Sequence, residues 1–537
     1  FAAMGAEAEL ERISGLDERW ARFEAGAWPP PAHAAPHAIT ETLPEAAERY
    51  DLIYAGGGLG LLHAALMARK GYKVLVFDRH EVGCAHREWN ISAEELGRLV
   101  ATGLASWEEL EREIIMARYD DGVVRFHPGG SDVPPAELRM AGVLDIALDA
   151  GALLRLARRR LLDAGGSIRE GVSFEEVLAH PDQRRGVVVR LGRDGSEELV
   201  AGRLLIDGMG ATSPLALAAH PFSGVCPTVG TVLRGARDHD PKLGDILVSV
   251  ADAQRGRQLI WEGFPGRGDE LTVYVFYYDK VGPAAQHRHS LLDLFEDYFR
   301  LLPDYKAPGE DFRHERPVYG FIPARHAVKR PVPLRGVLPL GDAAAQQSPL
   351  TFCGFGSFVR NLGRTTRLLD TALRYDLLEP ELLSLVSARQ ANVGLNWVFS
   401  RFMAPWDRPQ DVNELQNVFA GVLNELGPAI SRRFFQDQMT WRDYRAIILG
   451  TLRRYPPIMR VALRVMGWRD IGRWIADWLR FSRTALACAL CGWWLPAVVR
   501  LIEQGDPARA FRWRAHLAEW QAMGWLRDSS RPAGSKG

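Results

Sequence analysis

Asp51-Leu-Ile-Tyr-Ala55 runs into Gly56-Gly57-Gly58-Leu59-Gly60, then into Leu61–Lys70, Gly71 and Lys73-Val-Leu-Val-Phe-Asp78. An apolar run, a glycine turn, a helical run and a second apolar run predict a βαβ unit with its crossover helix. Unpaired amides and the positive end of the helix dipole at such a turn suit an anionic ligand such as a pyrophosphate. The best register of the dinucleotide fingerprint is Ala55-x-Gly57-x-x-Gly60, with Ala55 where a glycine usually stands. A positive φ at Ala55 would cost about 1 kcal/mol or more, which Gly56 and Gly58 are placed to absorb. Asp78 ends the second run, where a carboxylate bonds the ribose hydroxyls of an adenosine.

Two more strand-like runs end on acid–glycine pairs. Leu199–Ile206 delivers Asp207-Gly208-Met209-Gly210, and Gly336–Leu340 delivers Gly341-Asp342. The second leads through Gly354 and Gly356 into a helix expected from about 356 to 378. A nicotinamide coenzyme needs one βαβ fingerprint, whereas an extended FAD uses two sites separated by a long insertion. The pattern predicts FAD. Leu144–Ala164 reads as an amphipathic helix, and 221–325 as mostly antiparallel sheet with one face lining a cavity.

The 537 residues are 47% hydrophobic and 25% charged, enough for a sizeable core. Their 52 Gly and 32 Pro exclude collagen-like and broadly disordered classes. Sixty-six basic residues balance 66 acidic ones, which gives no reason to expect nucleic acid. Five Cys do not make a disulfide framework, and Cys488-Ala-Leu-Cys491 has no second pair for zinc. Cys353 reads as a packing residue. The fourteen His form no ligating motif, so no metal is expected. No basic, compact apolar leader opens the chain, so a retained signal peptide is not expected.

The expected organisation is an N-terminal helix and Pro-rich linker (1–49), a nucleotide-binding domain in two parts (50–220 and 326–390), a β-rich substrate domain (221–325) and a basic, Trp-rich helical region (391–537). From Arg432 onward there are 18 Arg and one Lys against eight acids, a local charge of +11, and 11 of the 16 Trp lie at or beyond Trp397. Arg and Trp on amphipathic helices suit a lipid headgroup region. Thr484–Val499 is uncharged but short for a span and interrupted by Pro496, which favours shallow insertion over a packing helix or a transmembrane span.

Three runs carry a resemblance: Asp51–Asp78, Arg87-Glu88-Trp89-Asn90-Ile91-Ser92, and Gly341-Asp342-Ala343 with Gln347-Ser348-Pro349 and Gly354-Phe355-Gly356. Together they resemble the CruA/CruP group of lycopene cyclase-like flavoproteins. More broadly, about 50–380 looks like the superfamily of aromatic hydroxylases and geranylgeranyl reductases. The fold this implies is α/β, an FAD-binding Rossmann-like domain with a β-sheet substrate domain and a helical C-terminal region. It implies Ala55, Gly57, Gly58, Gly60 and Asp78 on the ADP half of FAD. Arg79 and Arg87 would lie near the pyrophosphate or flavin, Asp342 on the ribityl side with Gly341, Gly354 and Gly356, and Asp207, Gly208 and Gly210 close by.

The resemblance further implies reduced FAD, a reductant for it, a hydrophobic polyene substrate, and a place on the cytoplasmic face of a membrane. The named reaction is lycopene cyclisation without net redox change; alternatives are a prenyl-chain reductase or hydroxylase, or a carotenoid-binding paralogue without turnover. The absence of a His near Gln346 speaks against the hydroxylase branch. Protonating a terminal double bond needs a carboxylic acid kept neutral in an apolar pocket. Glu262, flanked by Trp261 and Phe264, is the leading candidate, ahead of Glu88 and Asp245. Arg87 and Asn90 are candidates to orient the flavin ring.

Overall fold

The computed structural model describes residues 1–26, 36–85, 88–219, 222–237, 239–282, 285, 287–324, 333–345 and 354–526. Glu48–Ala55 pairs in parallel with Val74–Asp78 on one side and with the second half of Ser196–Asp207 on the other. Val74–Asp78 continues to Ser167–Glu170, and Val337–Pro339 lies beside the end of Ser196–Asp207 with Asp207 opposite Pro339. The strands bearing Ala55, Asp78, Asp207 and the Gly341-Asp342 turn therefore open on one edge of one sheet. Because both faces are covered, the strand reads as a continuous apolar run: Leu52 and Tyr54 enter one core, Ile53 and Ala55 the other. The helices Gly60–Arg69 and Gly354–Arg374 pack on the Leu52 side.

An antiparallel arm of Ser173–Ala179, Val187–Arg193 and the start of Ser196–Asp207 extends this sheet. His37–Ile39 joins that arm in parallel, so part of the segment expected as linker is sheet edge. The helix expected from Leu144 begins only at Ala150, because Ile146–Asp149 is a strand whose last residue caps the helix through its carboxylate.

The second sheet holds Gly224–Ala236, Leu243–Val248, Ile260–Pro265, Leu271–Phe276 and Pro308–Ala324, paired antiparallel as expected. Asp121–Arg125 and Glu137–Ala141 extend it from within the segment expected to belong to the nucleotide domain. Glu137–Ala141 pairs with Asp121–Arg125, whose other partner, Leu243–Val248, lies more than a hundred residues away, and strand periodicity carries no information about partners. Leu291–Tyr305, inside the strand-like segment, is an amphipathic helix capped by Ser290 that buries Leu294, Phe295, Tyr298 and Leu302 on one face of the sheet.

The C-terminal region is helical, as expected, and closes the opposite face of that sheet with Phe434, Phe435, Tyr444 and Phe481. Its longest helix, Ile458–Cys491, bends at Gly467 (φ 67°). Pro496 sits in the first turn of a new helix, Leu495–Ile502, where a missing N–H costs nothing. No single described helix is long and apolar enough to cross a membrane; these two pass that test only together, bent by 82°.

Candidate FAD and acid site

The glycine turn explains why Ala55 is tolerated. Ala55 completes its strand opposite Phe77 and Asp207, and Gly56 takes the positive φ, at 106°. A Cβ on Gly56 would stand 2.4 Å from the carbonyl oxygen of Gly208, and one on Gly57 would stand 2.9 Å from Val82. Gly58 faces open space, and Gly60 begins the helix, whose first turn carries no acid. Asp78 accepts from the amides of Gly57 (2.7 Å) and His80 (2.8 Å), so its carboxylate lies across the turn. Arg79 is exposed beside it, and Arg87 lies outside the described residues. A turn this close, over an acid-free helix start with an acid at the neighbouring strand end, fits the ADP half of FAD.

The other two acid–glycine pairs meet this turn. Gly208 donates to the carbonyl of Ala55 (2.8 Å) and Leu340 donates to that of Asp207 (2.8 Å), stitching the three loops together. Asp207 is buried and spends its carboxylate locally, accepting from Ser213 Oγ (2.6 Å) and the amide of Met209 (3.1 Å). It shapes the site. Gly210 and Gly341 both have positive φ, and Asp342 opens a short 3₁₀ turn, half-buried at the sheet edge. Gln347, Ser348, Pro349 and Cys353 lie outside the described residues.

Two runs far apart in the chain come together here: the indole of Trp89 stacks on Phe355 with ring centres 4.5 Å apart. Gly356 starts its helix against another group, because a Cβ there would meet the Glu95 carboxylate at 2.9–3.1 Å. Glu95 belongs to a buried triad that sequence reasoning missed. Arg360 Nη1 donates to Glu95 Oε1 (2.9 Å) and Nη2 to Asp437 Oδ2 (3.2 Å), joining the nucleotide lobe to the C-terminal helices. Burial pushes the Glu95 carboxyl up, and the Arg360 charge opposes it. The signal available was Ser92-x-x-Glu95 before an apolar run, a capping box that the structure forms.

The three acid candidates part company. Glu262 lies on Ile260–Pro265 opposite Tyr274, and its face, shared with Ile260, Phe264 and Phe276, packs against the C-terminal helices. Tyr119 packs near Phe264 and donates to Asn90 Oδ1 (3.4 Å), connecting that face to the Glu88–Ser92 run. Among the described residues Glu262 makes no hydrogen bond or ion pair, and burial alone pushes its carboxyl up to about 8. It nevertheless keeps some accessible surface.

Asp245 stands opposite Gly263, one residue on from Glu262, and so on the other face. There it accepts from Tyr305 (2.6 Å) and pairs with Lys306 (3.0 Å) beneath the Leu291–Tyr305 helix. Glu88 ties the lobes by an ion pair to Arg316; burial raises its carboxyl against that charge. Of the cysteines, Cys488 is a buried thiol pushed up to about 11 by burial, in keeping with packing.

The architecture is a Rossmann-like sheet domain, a second sheet, and a helical C-terminal region. No family model matches the chain, and no curated protein does. Solved structures do. A geranylgeranyl bacteriochlorophyll reductase-like protein from Thermoplasma acidophilum superposes with TM-score 0.57 at 16% identity, over 77% of this chain and 98% of its own. The halogenase PltM gives 0.54 at 15% identity, over 89% and 98%. A PltM variant in complex with FAD gives 0.52 at 13%, over 87% and 99%.

Proposed function

We propose that this chain is an FAD-dependent enzyme acting on a carbon–carbon double bond of a long isoprenoid or polyene chain, with Glu262 as the proton donor. The observation that carries it is a neutral carboxyl on an apolar sheet face with no partner among the described residues. At neutral pH it holds its proton; in water a glutamate would have lost it. Reduced FAD, when bound, supplies the electron pair that saturation of a double bond requires. Ala55, Gly57, Gly58, Gly60 and Asp78 hold its adenosine half, while Gly341, Asp342 and the start of the Gly354–Arg374 helix hold the other.

Saturation is the reading best supported, because the reductase-like protein from Thermoplasma acidophilum has the highest TM-score among the structures reported above. A specific observation favours ring closure as the second reading: Trp89 stacks on Phe355, uniting the two runs that resemble the CruA/CruP group. Both use the same acid. In closure, the alkene protonated by Glu262 is attacked by its neighbour, aromatic faces stabilise the tertiary cation, and loss of a proton from a carbon beside the cation ends the reaction with no change of mass.

The membrane surface is part of the proposal. Trp468, Ile475, Leu479, Leu486 and Leu490 recur at steps of seven, four, seven and four along one helix face, each at least 48% exposed. Arg469, Arg473, Arg480 and Arg483 flank that face. Such a helix lies in the plane of the interface and gives access to a substrate insoluble in water.

The test is expression in hosts that accumulate either lycopene or geranylgeranyl lipids, followed by mass and absorbance of the products. Gain of two hydrogens per double bond supports saturation, unchanged mass with altered absorbance supports cyclisation, and gain of oxygen refutes both. Unaltered substrates with FAD-loaded protein would leave the binding paralogue.

A further inference from the structure

A cavity of about 280 Å³ opens at one end of the second sheet, where Ser223–Cys226 and Tyr278–Lys280 meet the helix Trp397–Arg401 and the first part of Ile458–Cys491. Gly224 pairs with Lys280 and Thr228 with Phe276, so Cys226 and Tyr278 stand on the face that carries Phe276 and Glu262. Glu262 lies near this wall: when ionised, it is, after burial, the next cause that pushes the Cys226 thiol up. At the other side of the cavity stand Arg464 and Val465, just before the bend at Gly467 that leads to Trp468, the first residue of the exposed apolar stripe.

The lining selects its occupant. Three of its four charged members are engaged: Asp279 with His289 (3.1 Å), Arg464 with Asp407 (2.8 Å), and Arg401 with Asp470 at 4.0 Å; the fourth, Lys280, is exposed. An anionic headgroup inside the cavity would have to break these pairs or be held by Lys280 alone. An uncharged chain meets Tyr278, Trp397 and Trp406 without doing so. The volume equals about nine waters at ~30 Å³ each, room for the last ten or so carbon atoms of a chain. The rest of a longer molecule would have to stay outside, beside the apolar stripe.

We infer that this cavity admits one end of a long, uncharged, unsaturated hydrocarbon from the membrane side and guides it along the sheet face toward Glu262. The inference rests on the proposed reading of Glu262 as the proton donor. Arg464 and Val465 form the outer lip, and the aromatic wall grips the chain end by its π faces.

The test uses the full-length flavoprotein and the methyl ester of cis-parinaric acid, a conjugated tetraene that accepts energy from nearby tryptophan. Wild-type protein is expected to bind it with energy transfer that falls in Trp406→Phe. Ala404→Phe and Val465→Phe, which fill the half-buried wall, should each weaken binding at least tenfold with flavin content and thermal midpoint unchanged. Glu262→Gln should bind like wild type. No binding by wild type, or undiminished binding by both filled variants, overturns the inference. If the filled variants lose the probe but no isoprenoid is transformed by wild type, the cavity stands as a chain site and the catalytic reading falls. If both transform substrate at the wild-type rate, the entry route falls and the catalytic reading stands.

Discussion

Replacing Glu262 by Gln removes a group whose proton affinity folding has raised, and the consequence for stability has a definite sign. Unfolded, the carboxyl ionises near its ordinary value of about 4.5; folded, it holds its proton up to about 8. A raised carboxyl favours the folded state only while both states are protonated, so its presence costs more as pH climbs through that window. Linkage between those two values gives roughly 3 kcal/mol of lost stability between about pH 5 and pH 7.5, all of it absent in the Gln variant. Urea unfolding of both proteins across this range should show nearly equal midpoints at the acid end. The variant should be increasingly the more stable toward neutrality, yet inactive on substrate with its flavin retained. Parallel midpoint curves would refute the reasoning, because they would mean that Glu262 ionises in the folded protein as it does in water.

Gly56→Ala should abolish flavin retention through purification: left-handed backbone costs about 1–2 kcal/mol for a residue with a Cβ, and that carbon would stand 2.4 Å from the Gly208 carbonyl. Flavin-to-protein absorbance reads it directly. Arg360→Ala strands Glu95 and Asp437 in the interior and should cost about 3–5 kcal/mol in chemical unfolding. His289 stands between Glu24 (2.6 Å) and Asp279 (3.1 Å), and burial, which would lower its proton affinity, is outweighed by these bonds, raising it to about 9. Its contribution is therefore full below the ordinary histidine value and lost as pH rises through about 9, so proteolysis near Glu7–Glu24 should accelerate there and His289→Gln should erase that pH dependence. Leu479→Asp with Leu486→Asp should weaken co-sedimentation with anionic vesicles at least tenfold, since burying one leucine is worth about 1.5–3 kcal/mol.

The nucleotide edge was legible because its determinants are local: Gly56–Gly60 and Asp78 sit in one unit whose spacing states its geometry. That Asp207 and Asp342 would share its sheet followed from their position after apolar runs. What escaped was set by distant partners. That Ala55 needs no positive φ is one case: Phe77 and Asp207 hold it in the strand, and Gly56, one of the two glycines expected to absorb the turn, does so. Asp121–Arg125 and Glu137–Ala141 joined the far sheet for want of any sequence mark of partner choice. Asp245 and Glu262 were alike as acids in strand-like runs; pairing across a bulge put them on opposite faces, one against Lys306 and the other among apolar side chains. The Glu95–Arg360–Asp437 triad draws on two helices and a turn that nothing in the chain announces as neighbours.

Asp279 serves two neighbourhoods at once. With one oxygen it holds His289, and through His289 the amphipathic N-terminal helix; with its other flank it forms part of the cavity wall. A protein shortened to begin after that helix would leave His289 facing one carboxylate instead of two, and so more readily deprotonated. The loss of a remote leading segment would then be felt first at the threshold through which a greasy substrate passes.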